Sequence, residues 1–593
     1  MQQRPDQQTV DALRSRRTQP ALPGVTQQSV PIISPTTPRP SAISARKTRN
    51  SSPILLQLSL LGVIMELFFL ALYPVLIGIT RVDGSAKQVS HALPTLFPWL
   101  PALYWTTAFP ALPQLLSKVS WLNILNSTTG NSANALLSFF LLLITSGIAL
   151  LASRLSARVV LERLTRLDNT LLFWLVLLIT TVFGITMLFI PVGLTIFSQD
   201  MLIYGLYGNM VAIHHINPYG VLPPTHDVLQ MFVDVKTTTP YGPVWTDISV
   251  LLALIAQNSV VNTILAFRSL GLLAHLVNAA LLWAILARAK PEMRLSATLL
   301  YAWNPLILLF GVAEMHQEIV LVCVMLTALL CFQRNSPTLG WVFVLLVSLI
   351  NLLWLPLLPL FLPLMLKQSR FLRAGQRLLW WVGMLLISLV MIVLAYAPYW
   401  HAMSFAGVLT QIQHTFLQNT AVNSLDAALL DLPIKSDWLL SPYHWSFVAL
   451  ILVGLFLLFG LWLANTFELV ALFSGWLLLL LAVLLPTYWP WYVIAPFVLA
   501  LSSTNRRTSL LTILLLAASL LSYYWLLTST WTGQALVTIG LPLIIWGWIL
   551  FFSSTWQMTR VQEEVQPEGT RLPYASRSRP SWLSRPSRTG RHY

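Results

Sequence analysis

Long apolar runs recur along most of the chain, near 54–80, 134–152, 170–196, 264–287, 295–312, 319–333, 378–397, 445–464, 467–485, 490–503, 509–527 and 535–552. A helix crosses the hydrocarbon core of a bilayer with about 20 predominantly apolar residues. Within lipid every backbone N–H and C=O must be bonded inside the protein, which helices achieve one by one. The expected fold is therefore all-α, a polytopic transmembrane helix bundle of roughly 12–14 spans. Composition excludes the alternative of a soluble globule, because 56% of the 593 residues are hydrophobic and 9% charged,. Cys323 and Cys331 lie in one apolar run about two helical turns apart, too far for a disulfide, and read as packing residues,.

The net charge of +15 does not point to nucleic acid. Much of it sits in two tails, 1–52 and 556–593, rich in Arg, Pro, Ser, Gln and Thr. Such segments cannot bury enough surface to fold and read as disordered basic tails. Between them, 53–555 reads as one membrane domain. The first run, Ile54 to Thr80, is too long and begins too late for a cleaved signal peptide and reads as a first span,.

Basic residues cluster in alternate loops: Arg46, Lys47 and Arg49; Arg154, Arg158, Arg163 and Arg166; Arg288, Lys290 and Arg294; Arg334; Lys367, Arg370, Arg373 and Arg377; Arg506 and Arg507; Arg560. The positive-inside rule makes these cytoplasmic, both tails included. It requires 339–366, broken by Pro356, Pro359 and Pro363, to enter and leave on one side as two half-helices. The loops about 81–133, 195–263, 313–318, 398–444, 486–489 and 528–534 are then extracytoplasmic and hold most of the acidic and His residues. Glu66, within the first span, is either a functional carboxylate or a helix–helix hydrogen-bonding residue,.

The segment 197–243 concentrates polar chemistry beside a span: Ser198-Gln199-Asp200, then Asn217-Pro218-Tyr219, then Pro240-Tyr241-Gly242-Pro243. Asp200 is placed to stay ionised in water with lipid headgroups in reach, suiting a general base; a solvated loop Asp is the plainer reading. Val244 to Gln257 is apolar but short, and reads as a helix along the membrane surface,. Arg268, at the outer end of the next span, either snorkels to a lipid phosphate or clamps a phosphate group. Asn304-Pro305 leads to Glu314-Met315-His316-Gln317-Glu318, where His and Glu suit hydrogen bonding to sugar or phosphate better than a metal site, which needs more ligands than can be named here,. His214 and His215 are equally surface residues or ligands.

The order of these motifs resembles the GT-C superfamily of integral-membrane glycosyltransferases that use polyprenyl-phosphate sugars, most closely the bacterial polyprenol-phosphate-mannose-dependent alpha-1,6-mannosyltransferases. The similarity runs over roughly 170–500, through Asp200, Asn217-Pro218-Tyr219, Pro240-Tyr241-Gly242-Pro243-Val244-Trp245, Arg268, Trp303-Asn304-Pro305, His316-Gln317-Glu318 and Pro490-Trp491-Tyr492. Two departures stand out. The family's His-Asn-Asp loop is here His-Gln-Glu, and the tip of the broken hairpin, where such enzymes often carry Lys or Arg, holds Asn351.

The resemblance implies an active site built from extracytoplasmic loops and an inverting transfer of a sugar, mannose foremost. The donor would be a polyprenyl phosphate, the acceptor a glycan or glycolipid, with membrane lipid the surrounding partner and no cofactor, metal or nucleic acid. It implies Asp200 as the catalytic residue, Arg268 and His316 as ligands of the donor phosphate, and Asn217, Tyr219, Tyr241, Glu318, Trp491 and Tyr492 as substrate-binding. The outer loop 398–444, with His401, His414, Asn423, Asp426 and Asp437, either closes over the acceptor or merely caps the domain. The competing functions are a lipid-linked glycan transporter or flippase and a non-catalytic envelope-assembly protein. A transporter would show polar residues down several spans and often an internal repeat, and neither is evident.

Overall fold

The computed structural model describes residues 52–77, 132–159, 166–190, 198–233, 235–401, 405–417, 421–430, 441–503, 505–528 and 535–552. Both basic tails, the loop about 81–133, Ile196, Asp437, and the positions of Arg46, Lys47, Arg49, Arg163 and Arg560 lie outside the described residues. The described residues are helical almost throughout, and their one β-type contact is an isolated bridge between Val422 and Thr487. The helices used below are α1 (Ser52–Ile77), α2 (Ser132–Ser156), α3 (Arg166–Phe189), α4 (Asp200–Ala212), α5 (Pro243–Ala256), α6 (Val260–Ala289) and α7 (Arg294–Ala302). After a break come α8 (Glu318–Gln333), α9 (Pro337–Ile350), α10 (Leu357–Ser369), α11 (Ala374–Tyr396), α12 (Phe405–Phe416), α13 (Leu425–Leu430), α14 (Pro442–Leu463), α15 (Phe467–Leu484), α16 (Ile494–Ser503) and α17 (Arg506–Thr528).

Among the described residues seven helices, α1, α2, α3, α6, α11, α14 and α15, are long and apolar enough to cross a membrane. The pair 291–302 and 305–313, bent by 49°, makes an eighth if taken as one span. Shorter apolar helices, α5, α8, α9, α10 and the segments 490–503 and 536–552, lie among them, in keeping with the expected all-α polytopic bundle. Several runs with the composition of a span are too short for one: α8 has 16 residues, α9 has 14 and α10 has 13. At 1.5 Å per residue the last two rise about 20 Å each, against a hydrocarbon core of about 30 Å.

The segment 337–369 is the expected broken hairpin. Asn351 ends α9, and its side-chain oxygen accepts the Leu353 N–H at 2.9 Å, capping the short turn into α10. At the open end Gln368 Nε2 donates to Phe332 O at 3.0 Å, holding the end of α10 beside the end of α8. Trp341 Nε1 donates to Ser388 Oγ and Trp380 Nε1 to Thr338 Oγ1, tying α9 to α11.

Small residues let the central helices approach closely. A side chain at Gly208 on α4 would sit 2.3 Å from the Ser249 carbonyl oxygen of α5, and only glycine leaves that space open,. The α5 helix buries Trp245, Thr246, Ser249 and Ala253 and exposes Leu251, Leu254 and Ile255, an apolar outer face. Farther out, Thr186 on α3 hydrogen-bonds Glu66 on α1, so this intramembrane carboxylate is a helix–helix contact. Both cysteines are free thiols.

Candidate active site

The site grows from two helix beginnings that the sequence sets up differently. Asp200 is the first residue of α4, where the unpaired N–H groups of a helix N-terminus favour a negative charge,. Its own N–H donates to Ser198 Oγ at 3.1 Å, and its side chain remains 30% exposed.

The second beginning follows a disrupted helix. Asn304 caps the turn at Pro305, accepting the Leu306 and Ile307 N–H groups at 3.0 and 3.4 Å. The chain then widens into a π-type turn over Leu309–Ala313, and Met315 takes a left-handed conformation (φ 50°). His316 N–H donates to Phe310 O at 3.0 Å, and α8 starts at Glu318.

This reversal delivers His316 to Asp200. Its Nε2 is hydrogen-bonded to Glu314 Oε2 at 3.1 Å, and its Nδ1 lies 3.2 Å from Asp200 Oδ2, an ion-pair contact without hydrogen-bond alignment. The ring is fully buried and stacks on Trp491 with centroids 3.6 Å apart and planes at 13°. Trp489 continues the stack on Trp491, 5.0 Å away at 5°. Burial alone would push the His316 pKa down, but the carboxylates of Asp200 and Glu314 outweigh it and raise it to about 9,.

Around this pair lie Tyr204, Tyr241, Tyr492 and Glu318, all electrostatically coupled to Asp200. Burial, reinforced by the Asp200 charge, holds the Tyr204 and Tyr241 phenols well above their ordinary pKa, so they act as neutral hydrogen-bonding groups,. Glu318 is raised to about 7, mainly by burial, with His316 pulling it down and Asp200 pushing it up. One of its carboxylate oxygens, Oε2, has no hydrogen-bond partner.

Of the residues expected in the site, the structure gathers Asp200, His316, Tyr241, Glu318, Trp491 and Tyr492. Three others it uses as braces. Asn217 Nδ2 donates to Tyr399 O at 2.9 Å while its Oδ1 accepts the Tyr219 N–H. The Tyr219 hydroxyl bonds Tyr241 O at 3.0 Å and Thr246 Oγ1 at 2.9 Å. Arg268, expected as a phosphate ligand, is 2% exposed, with Nε donating to Ala313 O and Nη1 to Leu188 O and Ile190 O, each at 2.7 Å. It thus fixes the end of α3 and the start of the 314–317 turn to α6. Its guanidinium also lies within electrostatic reach of Glu314.

His214 pairs with the buried Asp227 at 2.8 Å and fastens its own loop. The outer loop does reach the site: Gln411 Nε2 on α12 donates to Tyr241 O at 2.9 Å, and Val422 N–H to Pro486 O at 2.8 Å. Asp426 is buried with neither carboxylate oxygen bonded. Among the described residues no cluster of three His, Cys, Asp or Glu is arranged to hold a metal ion.

Sequence reading missed Tyr204 and Trp489 as members of the site. Tyr204 had a signal, since it lies four residues after Asp200 and so on the same helix face,. Nothing local marks Trp489, whose place in the stack depends on the fold.

An all-helical, multi-pass membrane protein with a part-exposed carboxylate and a buried histidine at two helix ends is the class this arrangement defines. Residues 102–367, just under half of the chain, match the model of the alpha-(1->6)-mannopyranosyltransferase N-terminal domain family. That span contains Asp200, Arg268, His316 and Glu318, so the likeness to GT-C mannosyltransferases carried by the motifs is found again in the family match, which supports glycosyltransferase activity. No curated protein and no solved structure matches the chain.

Proposed function

We propose that the protein transfers mannose, with inversion, from a polyprenyl-phosphate donor to a hydroxyl of a glycan or glycolipid on the extracytoplasmic side of the membrane. The observation that carries this reading is the Asp200 carboxylate, partly open to solvent and held against a buried histidine at a helix N-terminus. Asp200 takes the proton of the acceptor hydroxyl as its oxygen attacks the anomeric carbon. The bond from that carbon to the phosphate oxygen breaks on the opposite face, and its electron pair leaves with the polyprenyl phosphate.

The His316 charge, buried against Asp200 and Glu314, serves to hold the base in place, and Arg268 stands one step behind as the brace of the same turn. Tyr241, Tyr492 and Glu318 offer hydrogen bonds to sugar hydroxyls, and Trp491 presents the ring that keeps His316 in place. Asn217 and Tyr219 act on substrate through the position of Tyr241. The positive-inside rule, applied to the basic clusters, supports a cytoplasmic side for both tails and an extracytoplasmic site.

The test is transfer of radiolabelled mannose from polyprenyl-phosphate mannose to endogenous lipid acceptors, in membranes containing the wild type or Asp200→Asn. Loss of a general base lowers transfer about 10²–10⁴-fold. Equal transfer by both proteins would remove Asp200 from the chemistry. Absence of transfer by the wild type, with every polyprenyl-phosphate sugar tried, would favour a transporter or an assembly protein.

A further inference from the structure

We propose that Glu314 is a positioning residue that holds His316 as an imidazolium and, through it, keeps Asp200 aimed. The inference deepens the proposed function, since it concerns the same site.

The argument starts from the valences of the ring. Nε2 of His316 faces the Glu314 carboxylate at 3.1 Å and Nδ1 faces the Asp200 carboxylate at 3.2 Å. A neutral imidazole has one N–H and one lone pair, so it satisfies one carboxylate and turns a lone pair on the other. A proton on each nitrogen lets the ring pair with both carboxylates, by a hydrogen bond to Glu314 and by an ion-pair contact to Asp200. Neither the His316 nor the Glu314 side chain reaches the surface, so bulk solvent does not screen the pair. Buried charges persist only where they are paired.

The surroundings agree in sign. Behind Glu314 stands the Arg268 guanidinium, so charge alternates from the interior outward: Arg268 positive, Glu314 negative, His316 positive, Asp200 negative. On α8 the Glu318 carboxyl also couples to the ring, and from α4 and the flanking turns come only the neutral phenols of Tyr204, Tyr241 and Tyr492. The Trp491 face against the ring favours a cation over a neutral ring,. Of the two carboxylates, Glu314 is buried and remote from substrate, whereas Asp200 is the one that reaches solvent. Glu314 therefore orients the ring without touching the reacting atoms. Its proximity to His316, two residues along, depends on the left-handed Met315.

The experiment reads the ring directly and does not require transfer. Purified full-length protein, with its ten histidines labelled with ¹⁵N, is titrated by NMR in detergent, with His316→Gln to assign the resonance. The expected result is a doubly protonated His316 in the wild type at pH 7.5 and a singly protonated ring in Glu314→Gln, with Glu314→Asp restoring the charge. In the mannosyl transfer assay Glu314→Gln should lower transfer and Glu314→Asp should recover it. A neutral His316 in the wild type at pH 7.5, or a ring still charged in Glu314→Gln, would overturn the proposal. The wild-type measurement decides even if the Gln variant fails to fold. A charged ring in a protein that transfers no sugar would leave this inference standing and remove the proposed function.

Discussion

Replacing Gly242 by Ala adds one methyl group at the point where the 240–243 segment rests on the tip of the α9–α10 hairpin. The conformation there is extended (φ −69°, ψ 159°) and open to alanine, so the cost is one of space. The new Cβ would stand 2.1 Å from Leu349 O and 2.8 Å from Ile350 O, and both are backbone atoms that no rotamer change can move aside. The two segments must separate, which stretches the Gly242 N–H to Ile350 O hydrogen bond, now 3.0 Å. Overpacking costs about 1–3 kcal/mol and a hydrogen bond contributes about 0.5–1.5 kcal/mol. Together they give an expected destabilisation of roughly 2–4 kcal/mol. Gly383→Ala on α11, where a Cβ meets nothing within 4 Å, serves as the control and should change stability by no more than about 0.5 kcal/mol,. Both are measured by reversible unfolding in mixed micelles of non-ionic detergent and dodecyl sulfate. The neighbouring Tyr241 carbonyl accepts bonds from Tyr219 and Gln411, so transfer should fall with stability in Gly242→Ala. A Gly242→Ala protein as stable as the control would refute the close approach and the packing argument built on it.

Two further outcomes follow from groups already described. Glu318 has a folded pKa raised to about 7, so the stability its protonated form confers is present in full below the ordinary carboxyl range and is lost as pH rises through about 7,. Glu318→Gln should therefore gain in thermal midpoint over the wild type between pH 5 and pH 8, and a constant difference across that range would show that Glu318 does not titrate there. Arg268→Met strips donors from three carbonyls, at about 1–3 kcal/mol for each group left unsatisfied, and Arg268→Lys should recover only part of the loss,. An Arg268→Met protein of unchanged stability with a raised donor KM would return Arg268 to the role of phosphate ligand.

Class and motif positions were readable from composition and spacing, because apolar runs, Pro and polar turns are local. The broken hairpin was readable too, because Pro356, Pro359 and Pro363 mark 339–366 as two half-helices, whereas the cap that Asn351 makes at the tip was not. Arg268 shows the same limit in the site. An arginine near a span end is compatible with phosphate or with backbone, and only the meeting of α6 with Leu188, Ile190 and Ala313 decides. Glu314 and His316 are two apart in the sequence, and the turn that joins them carries the positive φ of Met315, which no composition rule announces. By contrast Asp200, Tyr241, Glu318 and Tyr492 were each named from motifs and converge because α4, α5 and α8 all begin near one another.

The short hairpin also sets a depth. Its helices climb about 20 Å from their basic ends, so a tip that starts at one face of a bilayer stops about 10 Å short of the other. Gly242 is bonded to that tip, so the depth of the tip is also the depth of Tyr241 and of the carboxylate it neighbours. Under the proposed function, a recessed tip would let a sugar phosphate anchored by its lipid tail slide in sideways, while a bulky hydrophilic acceptor would reach down from the water. Reaction partners would then enter through different doors, and the recess itself would limit how much water could compete for the anomeric carbon.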